Sequence, residues 1–495
     1  MSKQTRRVSE LLDRIYWEPK EWEVLIKKIV LTSPFSDKNF YNVLSEGIKG
    51  IKQIIITRDD DYKLYAIGKG DFIPQKEQKN LEEGTILPKS ILYADWEYFY
   101  RAKVIDCYMR THTIHYNLSQ ESQTFSCQFD IRKVKFHEKK KSGETVCLIE
   151  WYLNAPSDIS IFTETTQRTT CAKAKKYREN SREKYRISKN ENFRRDSVFI
   201  QYEDTGFYIC KVPEEFAPLW AHKLSIEYRQ EFGRIPSKKE RIAIRELVGF
   251  LLGRELLYIG KTEYADCMHI RKAMIQNPMG INVRKICGMS NIEIVPIYHI
   301  DAEKGFASFK LCLESILPVY LKSRMRKAIH NSLPLYWTSS LLPIETAFPV
   351  ISSAIEMVQK SWFSLEENKG GSSYYQKGEF RQRIKSAREA LKESFSGTQY
   401  EDVMLNKINQ LNQMTVRDKN KVFMEELKLP FGEKESIAMK ARNCFAHGDS
   451  DERGVDIISS LNVLQILYAK ILLKLLHYNG EYIDRSEHGY PRKKL

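Results

Sequence analysis

Pro430-Phe431-Gly432-Glu433-Lys434-Glu435-Ser436-Ile437-Ala438-Met439-Lys440-Ala441-Arg442-Asn443-Cys444-Phe445-Ala446-His447-Gly448-Asp449 is the stretch on which the reading of this chain turns. Pro430 and Gly432 interrupt whatever precedes them, and Glu433 and Glu435 suit the positive end of a helix dipole. Ile437, Ala441, Cys444 and Phe445 then follow the spacing of a core-facing stripe, so an amphipathic helix is expected, with Gly448 as its stop. Arg442 and Asn443 lie at the edge of that stripe. On an ideal helix Arg442 and His447 stand about 140° apart, so the last turn is expected to loosen near Ala446 if both are to reach one phosphate.

Working outward, three more helical stripes surround this segment. Ile351, Ile355, Val358, Trp362 and Leu365 form one, and Phe380, Ile384, Ala387, Leu391 and Phe395 a second. Ile457, Leu461, Leu464, Tyr468, Ile471 and Leu475 form a third, apolar nearly all round. Together the four predict an all-α bundle over residues 336–495, with 366–373 as a helix-to-helix loop. Residues 1–215 read differently. After an amphipathic segment at Val8 to Ile15, alternating runs such as Gln53-Ile54-Ile55-Ile56-Thr57 and Val146-Cys147-Leu148-Ile149-Glu150-Trp151-Tyr152 predict a β-rich domain, sandwich or barrel-like. Residues 216–335 read as a mixed α/β continuation. There, a Ser237-x-x-Glu240 capping box opens a helix that buries Ile244, Leu247, Val248, Leu251 and Leu252 and stops at Gly253. Strands are expected at Leu256 to Gly260 and Ile292 to Ile300, and a connecting helix at Glu314 to Ile329. The fold class is therefore α+β, a strand-rich N-terminal region followed by an all-α helical bundle.

The residue types near the end of the chain suit one chemistry, cleavage of RNA without a metal. RNA carries its own nucleophile, the 2′-OH, beside the phosphate it attacks. Histidine titrates near working pH and can take or give the proton. Arginine stays charged and offers a planar fork that matches phosphate oxygens. Asn443 can orient the histidine or donate to the phosphate. The expected products carry a 2′,3′-cyclic phosphate and a 5′-OH. Two rival pairs are weaker: Arg110 and His115 lie in an alternating run that reads as a strand, and Arg324 and His330 are six apart on a basic helix. Cys444 reads as a small buried residue and Glu356 as an exposed helix glutamate.

Arg442-Asn443-x-x-x-His447, on a helix of a C-terminal bundle, resembles the R-x4-6-H signature of HEPN ribonucleases, a likeness that covers the last third of the chain. Upstream, Tyr228-Arg229-Gln230-Glu231-Phe232-Gly233-Arg234-Ile235-Pro236 and the helix through Glu246-Leu247-Val248-Gly249-Phe250-Leu251-Leu252-Gly253-Arg254 resemble the N-terminal region of ApeA-type antiphage proteins. The resemblance implies an HEPN helical bundle with Arg442, Asn443 and His447 as catalytic residues and no cofactor. It also implies a homodimer in which two such motifs face each other, and a defence nuclease that cleaves host RNA, tRNA first among the candidates, when a phage product triggers it. Two alternatives stand beside it: an RNA-guided nuclease like the HEPN-bearing CRISPR effectors, and a non-catalytic RNA-binding or dimerisation module.

Composition bounds these readings. The 495 residues suffice for two or three domains, and hydrophobic content of 42% predicts a folded chain. No apolar leader opens it, and no run is an uninterrupted membrane span, since Asn462, Gln465, Lys470 and Lys474 punctuate the best one. Nine cysteines without a C-x-x-C pair predict reduced thiols in a cytoplasmic protein, and no cluster has metal-ligand spacing. The Gly260-Lys261-Thr262 triplet lacks the first glycine of a phosphate-binding loop, since Glu255 stands in its place. The net charge of +15 suits a nucleic-acid partner. Residues 344–495 are near neutral, with 23 Lys+Arg against 21 Asp+Glu, so the excess lies ahead of the motif. Much of it falls between Arg168 and Arg195. That stretch reads either as a solvated loop or as an RNA-gripping arm, with Lys173, Lys175, Lys176, Arg178 and Arg182 as the candidate phosphate contacts.

Overall fold

A computed structural model of the chain describes residues 29–32, 51–59, 62–71, 86–87, 93–96, 100–117, 122–138, 143–156, 161–162, 164–169, 175–178, 195–212, 222–265, 270–278, 286–287, 305–365, 373–447 and 457–495. The expected segment at Val8 to Ile15 and the expected strand at Ile292 to Ile300 lie outside these residues, as does most of the 366–373 loop. The chain divides into two units, Met1–Glu293 with Ile300–Glu314, and Ile294–His299 with Ser315–Leu495.

The first unit is built on antiparallel strands. Its first half holds β1 (Ile29–Thr32), β2 (Ile51–Arg58), β3 (Leu64–Asp71), β4 (Ile86–Leu87), β5 (Tyr93–Trp96), β6 (Tyr100–Asn117) and β7 (Ser122–Glu138). Then come β8 (Cys147–Leu153), β9 (Glu164–Thr169), β10 (Lys175–Arg178), β11 (Arg195–Tyr202), β12 (Thr205–Lys211), β13 (Lys223–Arg229), β14 (Leu257–Tyr264) and β15 (Ile270–Gln276). Their order is β10-β9-β11-β12-β13-β8-β14-β15-β7-β3-β2-β1-β5-β6-β4. Because β6 also pairs along β7, the strands β7-β3-β2-β1-β5-β6 close a ring, sealed between β1 and β5 by the pairing Thr32↔Asp95. One edge of β7 is shared: Thr124 to Asp130 pair with β3, and Lys133 to His137 with β15. The barrel-like expectation thus describes the front of this unit, and an open sheet continues from it.

β8 shows why the open sheet forms. All seven residues of Cys-Leu-Ile-Glu-Trp-Tyr-Leu are buried, and the strand is flanked by β13 and β14. A continuous apolar run of this kind belongs to a strand covered on both faces. Its one charged member, Glu150, accepts from Arg241 Nε at 2.9 Å and from the Tyr152 hydroxyl at 2.6 Å. Arg241 lies on α1 (Lys238–Leu251), which buries Ile244, Leu247, Val248 and Leu251. Both halves of the expected Ser237/Glu240 capping box are present, and Gly253 leaves the helix at φ +70°, where a Cβ would be strained. β13, β14 and β15 belong to the same sheet, so this part of the chain goes with what precedes it.

The second unit is helical. α2 (Gly305–Lys322) contains the division after Glu314, and α3 (Arg326–Ser339) and α4 (Ile344–Phe363) follow. After them come α5 (Lys377–Arg383), α6 (Lys385–Phe395), α7 (Glu401–Gln410), α8 (Val416–Glu426), α9 (Glu433–His447) and α10 (Ile457–Leu475). The hairpin β16 (Glu481–Ile483) and β17 (Arg492–Lys494) ends the chain. α4 packs against α3, α9 and α10, and α9 also packs against α10. Tyr336 of α3 stacks on Tyr468 of α10 at 4.8 Å, and Ser332 Oγ lies 2.7 Å from the Tyr468 hydroxyl. α10 is the only described helix long and apolar enough to cross a membrane, but 72% of its apolar window is buried, as befits a core helix.

Two expectations about this unit change. The stripe Phe380, Ile384, Ala387, Leu391, Phe395 does not enter the core: α5 and α6 contain no buried residue. The cations Arg381, Arg383, Lys385, Arg388 and Lys392 occupy much of both helices, and the main neighbour of α6 is the short α7. The fourth core helix is α3, expected only as a connection, whose Ile329, Leu333 and Tyr336 are fully buried. Pro334 lies inside it, and the helix continues around it.

Candidate functional site

α9 carries the motif, and its start is tied down at several points. Gly432 N donates to Glu435 Oε2 at 2.9 Å, and Lys434 Nζ lies 3.5 Å from Glu487 Oε1 near the C-terminal hairpin. Glu487 pairs with Lys493 at 2.6 Å, and Lys493 with Asp484 at 2.8 Å. Burial alone would raise the Asp484 carboxyl, but its bonds from Lys493 and Ser486 outweigh that and hold it below the ordinary range. The packed side of α9 is set by Ala438 and Ala441, which are 0% and 7% exposed. Of the expected stripe, Ala441 is buried and Ile437 is 40% exposed, Ala438 taking its place on the packed side; the side chains of Cys444 and Phe445 lie outside the described residues.

The helix stays regular through His447, so the expected loosening does not occur within it. At about 100° per residue, positions 443 and 447 lie about 40° apart, on the side opposite Ala438 and Ala441. Position 442 flanks the packed side, about 140° from 447. One helix therefore offers Asn443 and His447 as neighbours and sets Arg442 apart from them.

The rival pairs separate further. Arg110 and His115 lie on β6, as expected, and Arg110 is exposed and 3.7 Å from Asp130. Arg324 is not on the helix that carries His330; it stands in the turn before α3. Lys261 of the Gly-Lys-Thr triplet is in mid-strand on β14 and pairs with Glu263, so no phosphate-binding loop exists there. Among the described residues no group of three His, Cys, Asp or Glu is placed to hold a metal.

Of the basic candidates, Lys173 and Arg182 lie outside the described residues, and Lys175, Lys176 and Arg178 lie on β10. This is an outermost strand, paired only with β9. Its register sets Lys176 opposite Arg168 and Arg178 opposite Thr166. Strand alternation puts Arg168, Lys176 and Arg178 on one face of this hairpin.

A second feature escaped the sequence. Glu356, Gln359, Lys360 and Phe363 of α4 and Val416 and Lys419 of α8 line an open groove of about 430 Å³. α8 holds its place through Phe423, whose ring meets Trp362 at 5.4 Å and Phe363 at 6.4 Å, and through Gln359 Nε2 donating to Asn420 Oδ1 at 2.8 Å. Glu356 was legible only as a polar helix residue, because α8, which supplies the facing wall, has too few apolar positions to announce itself. In comparisons with known proteins, no family model, curated protein or solved structure matches this chain.

Proposed function

We propose that the chain is a metal-independent endoribonuclease of the HEPN type, acting in antiphage defence on host RNA, with tRNA as the first candidate. The observation that carries the proposal is the placement of Arg442-Asn443-x-x-x-His447 at the end of α9, in a helical core made with α3, α4 and α10. His447 takes the proton from the 2′-OH, or gives one to the leaving 5′-oxygen. Arg442 supplies the fixed charge for the phosphorane, and Asn443, one turn before His447 on the same side, orients the imidazole or donates to the phosphate. The about 140° between positions 442 and 447 on a regular helix favours a site completed by a second copy, each chain contributing from its own α9 across a two-fold axis. The basic residues on β10, Lys175, Lys176 and Arg178, are the further candidates for contact with an RNA strand. The front unit is assigned regulation by a phage-encoded trigger, and the protein is placed in the cytoplasm.

The test is cleavage of total cellular RNA by the full-length protein in EDTA, repeated with RNA from phage-infected cells that express it. Cutting that leaves cyclic-phosphate ends and disappears in both Arg442→Ala and His447→Ala is the expected result. RNA that stays intact in infected cells, or cutting that persists in both variants, would remove the nuclease assignment. A guide RNA that co-purifies with the protein would favour the CRISPR-like alternative.

A further inference from the structure

We infer that the groove between α4 and α8 binds one unpaired nucleotide of an RNA strand, with Phe363 as stacking platform and Lys360 and Lys419 on the adjacent phosphates. The inference rests on the ribonuclease proposal and gives it a substrate class, single-stranded rather than duplex RNA.

Size, shape and lining all agree. A volume of about 430 Å³ lies within the range of sites for small ligands, and the open form lets a strand enter and leave. Phe363 is half-buried and held edge-on by Trp362, with ring centres 5.0 Å apart and planes at 80°. Val416, at the first turn of α8, is 60% exposed, so the groove has an apolar wall that water solvates poorly. Gln359 is only 6% exposed, and its bond to Asn420 fixes the amide while leaving Oε1 with no partner among the described residues. Such a fixed amide suits the edge of a base. Neither the Lys360 nor the Lys419 ammonium group takes part in an ion pair or hydrogen bond among the described residues, so both remain available to phosphates. Asp418, next to Lys419 on α8, is occupied by the Tyr374 and Thr415 hydroxyls, and Lys421 is paired with Glu425 at 3.9 Å. A base stacked inside a duplex reaches such a groove only by flipping out, whereas an unpaired base reaches it directly.

The experiment titrates the full-length His447→Ala protein, in EDTA, with a short fluorescein-labelled unpaired RNA and with a hairpin of equal length, over a salt series read by anisotropy. The unpaired RNA should bind more tightly. Lys360→Gln/Lys419→Gln should flatten the plot of log K against log[salt] by about 1.4, at about 0.7 for each single-strand phosphate that is no longer neutralised. Phe363→Ala should weaken binding about tenfold, the lower end of a base–aromatic stack. Phe363→Leu, which keeps apolar packing against Phe423 but has no ring, should do the same, and so separates a missing stack from a misfolded wall. Unchanged affinity and slope in every groove variant, while the wild type still cuts RNA, would overturn the groove site and leave the nuclease proposal standing. A hairpin that binds as well as the unpaired strand would overturn the substrate class. No RNA binding by His447→Ala together with no cutting by the wild type would overturn both.

Discussion

Phe423→Ala removes the ring that joins α8 to α4 beneath the groove. Phe423 is fully buried, and the other buried residues of this eleven-residue helix are Asn420 and Met424. A helix this short is marginal by itself in water, so its persistence depends on that packing. Truncating a buried phenylalanine costs about 3–5 kcal/mol in transfer energy and residual cavity. If the loss is confined to α8, its amides should exchange with solvent between about a hundredfold and a few thousandfold faster, since about 1.4 kcal/mol is a factor of ten. Hydrogen exchange read by mass spectrometry checks this, with peptides from α10 as the internal reference. Phe423→Leu, which refills most of the space, should cost about 1.5 kcal/mol or less. Acceleration below tenfold on α8, or equal acceleration on α10, would refute the view that α8 is a separately anchored wall.

The sheet under α1 offers two further tests. Arg241→Met leaves Glu150 as a buried carboxylate supported only by Tyr152 and should destabilise β8 and its neighbours by about 3–5 kcal/mol, whereas Glu150→Gln/Arg241→Met, with no lone charge, should recover most of that; hydrogen exchange on β8, β13 and β14 compares the two. Glu240 gives a pH dependence: the Arg234 guanidinium, helped by Ser237, pulls its carboxyl down to about 2 from the usual 4.5. The unfolded chain then binds more protons between those values, so this contribution is complete above about 4.5 and is lost as pH falls towards 2. Circular dichroism and exchange on α1 should show an acid loss that Glu240→Gln lacks, and identical acid limbs would count against the assignment.

Legibility divides along physical lines. Ser237 and Glu240 announced α1 because a capping box is a local hydrogen-bond device, complete within four residues. β8 was legible as a strand for a similar reason, its apolar run being continuous. The stripe on α5 and α6 was read correctly as amphipathic and wrongly as core. Periodicity identifies an apolar face but not what covers it, and Phe380 and Phe395 stay only partly covered. α3 was expected to end at Ile329 as part of a connecting helix, whereas it runs on through Pro334 to Ser339. At the candidate site, residue types were readable and geometry was not: Ala441 packs as expected, but Ala438 rather than Ile437 joins it on the packed side of α9. The groove was invisible because it needs two helices separated by more than fifty residues in the chain.

β8 also has a history during synthesis. Both of its edges are filled by strands made much later, β13 at Lys223–Arg229 and β14 at Leu257–Tyr264. Until the ribosome has delivered Arg229, the run Cys-Leu-Ile-Glu-Trp-Tyr-Leu has neither native neighbour, and until Tyr264 it still lacks one of the two. Pairings this distant are slow to form, and an unpaired apolar strand is a template for association with other chains. A fragment ending at residue 215 would hold that state permanently, so its insolubility would reflect an interrupted sheet rather than a poor sequence. Yield of the intact protein should accordingly respond to slower translation and to chaperones that shield extended apolar segments, before any property of the helical unit comes into play.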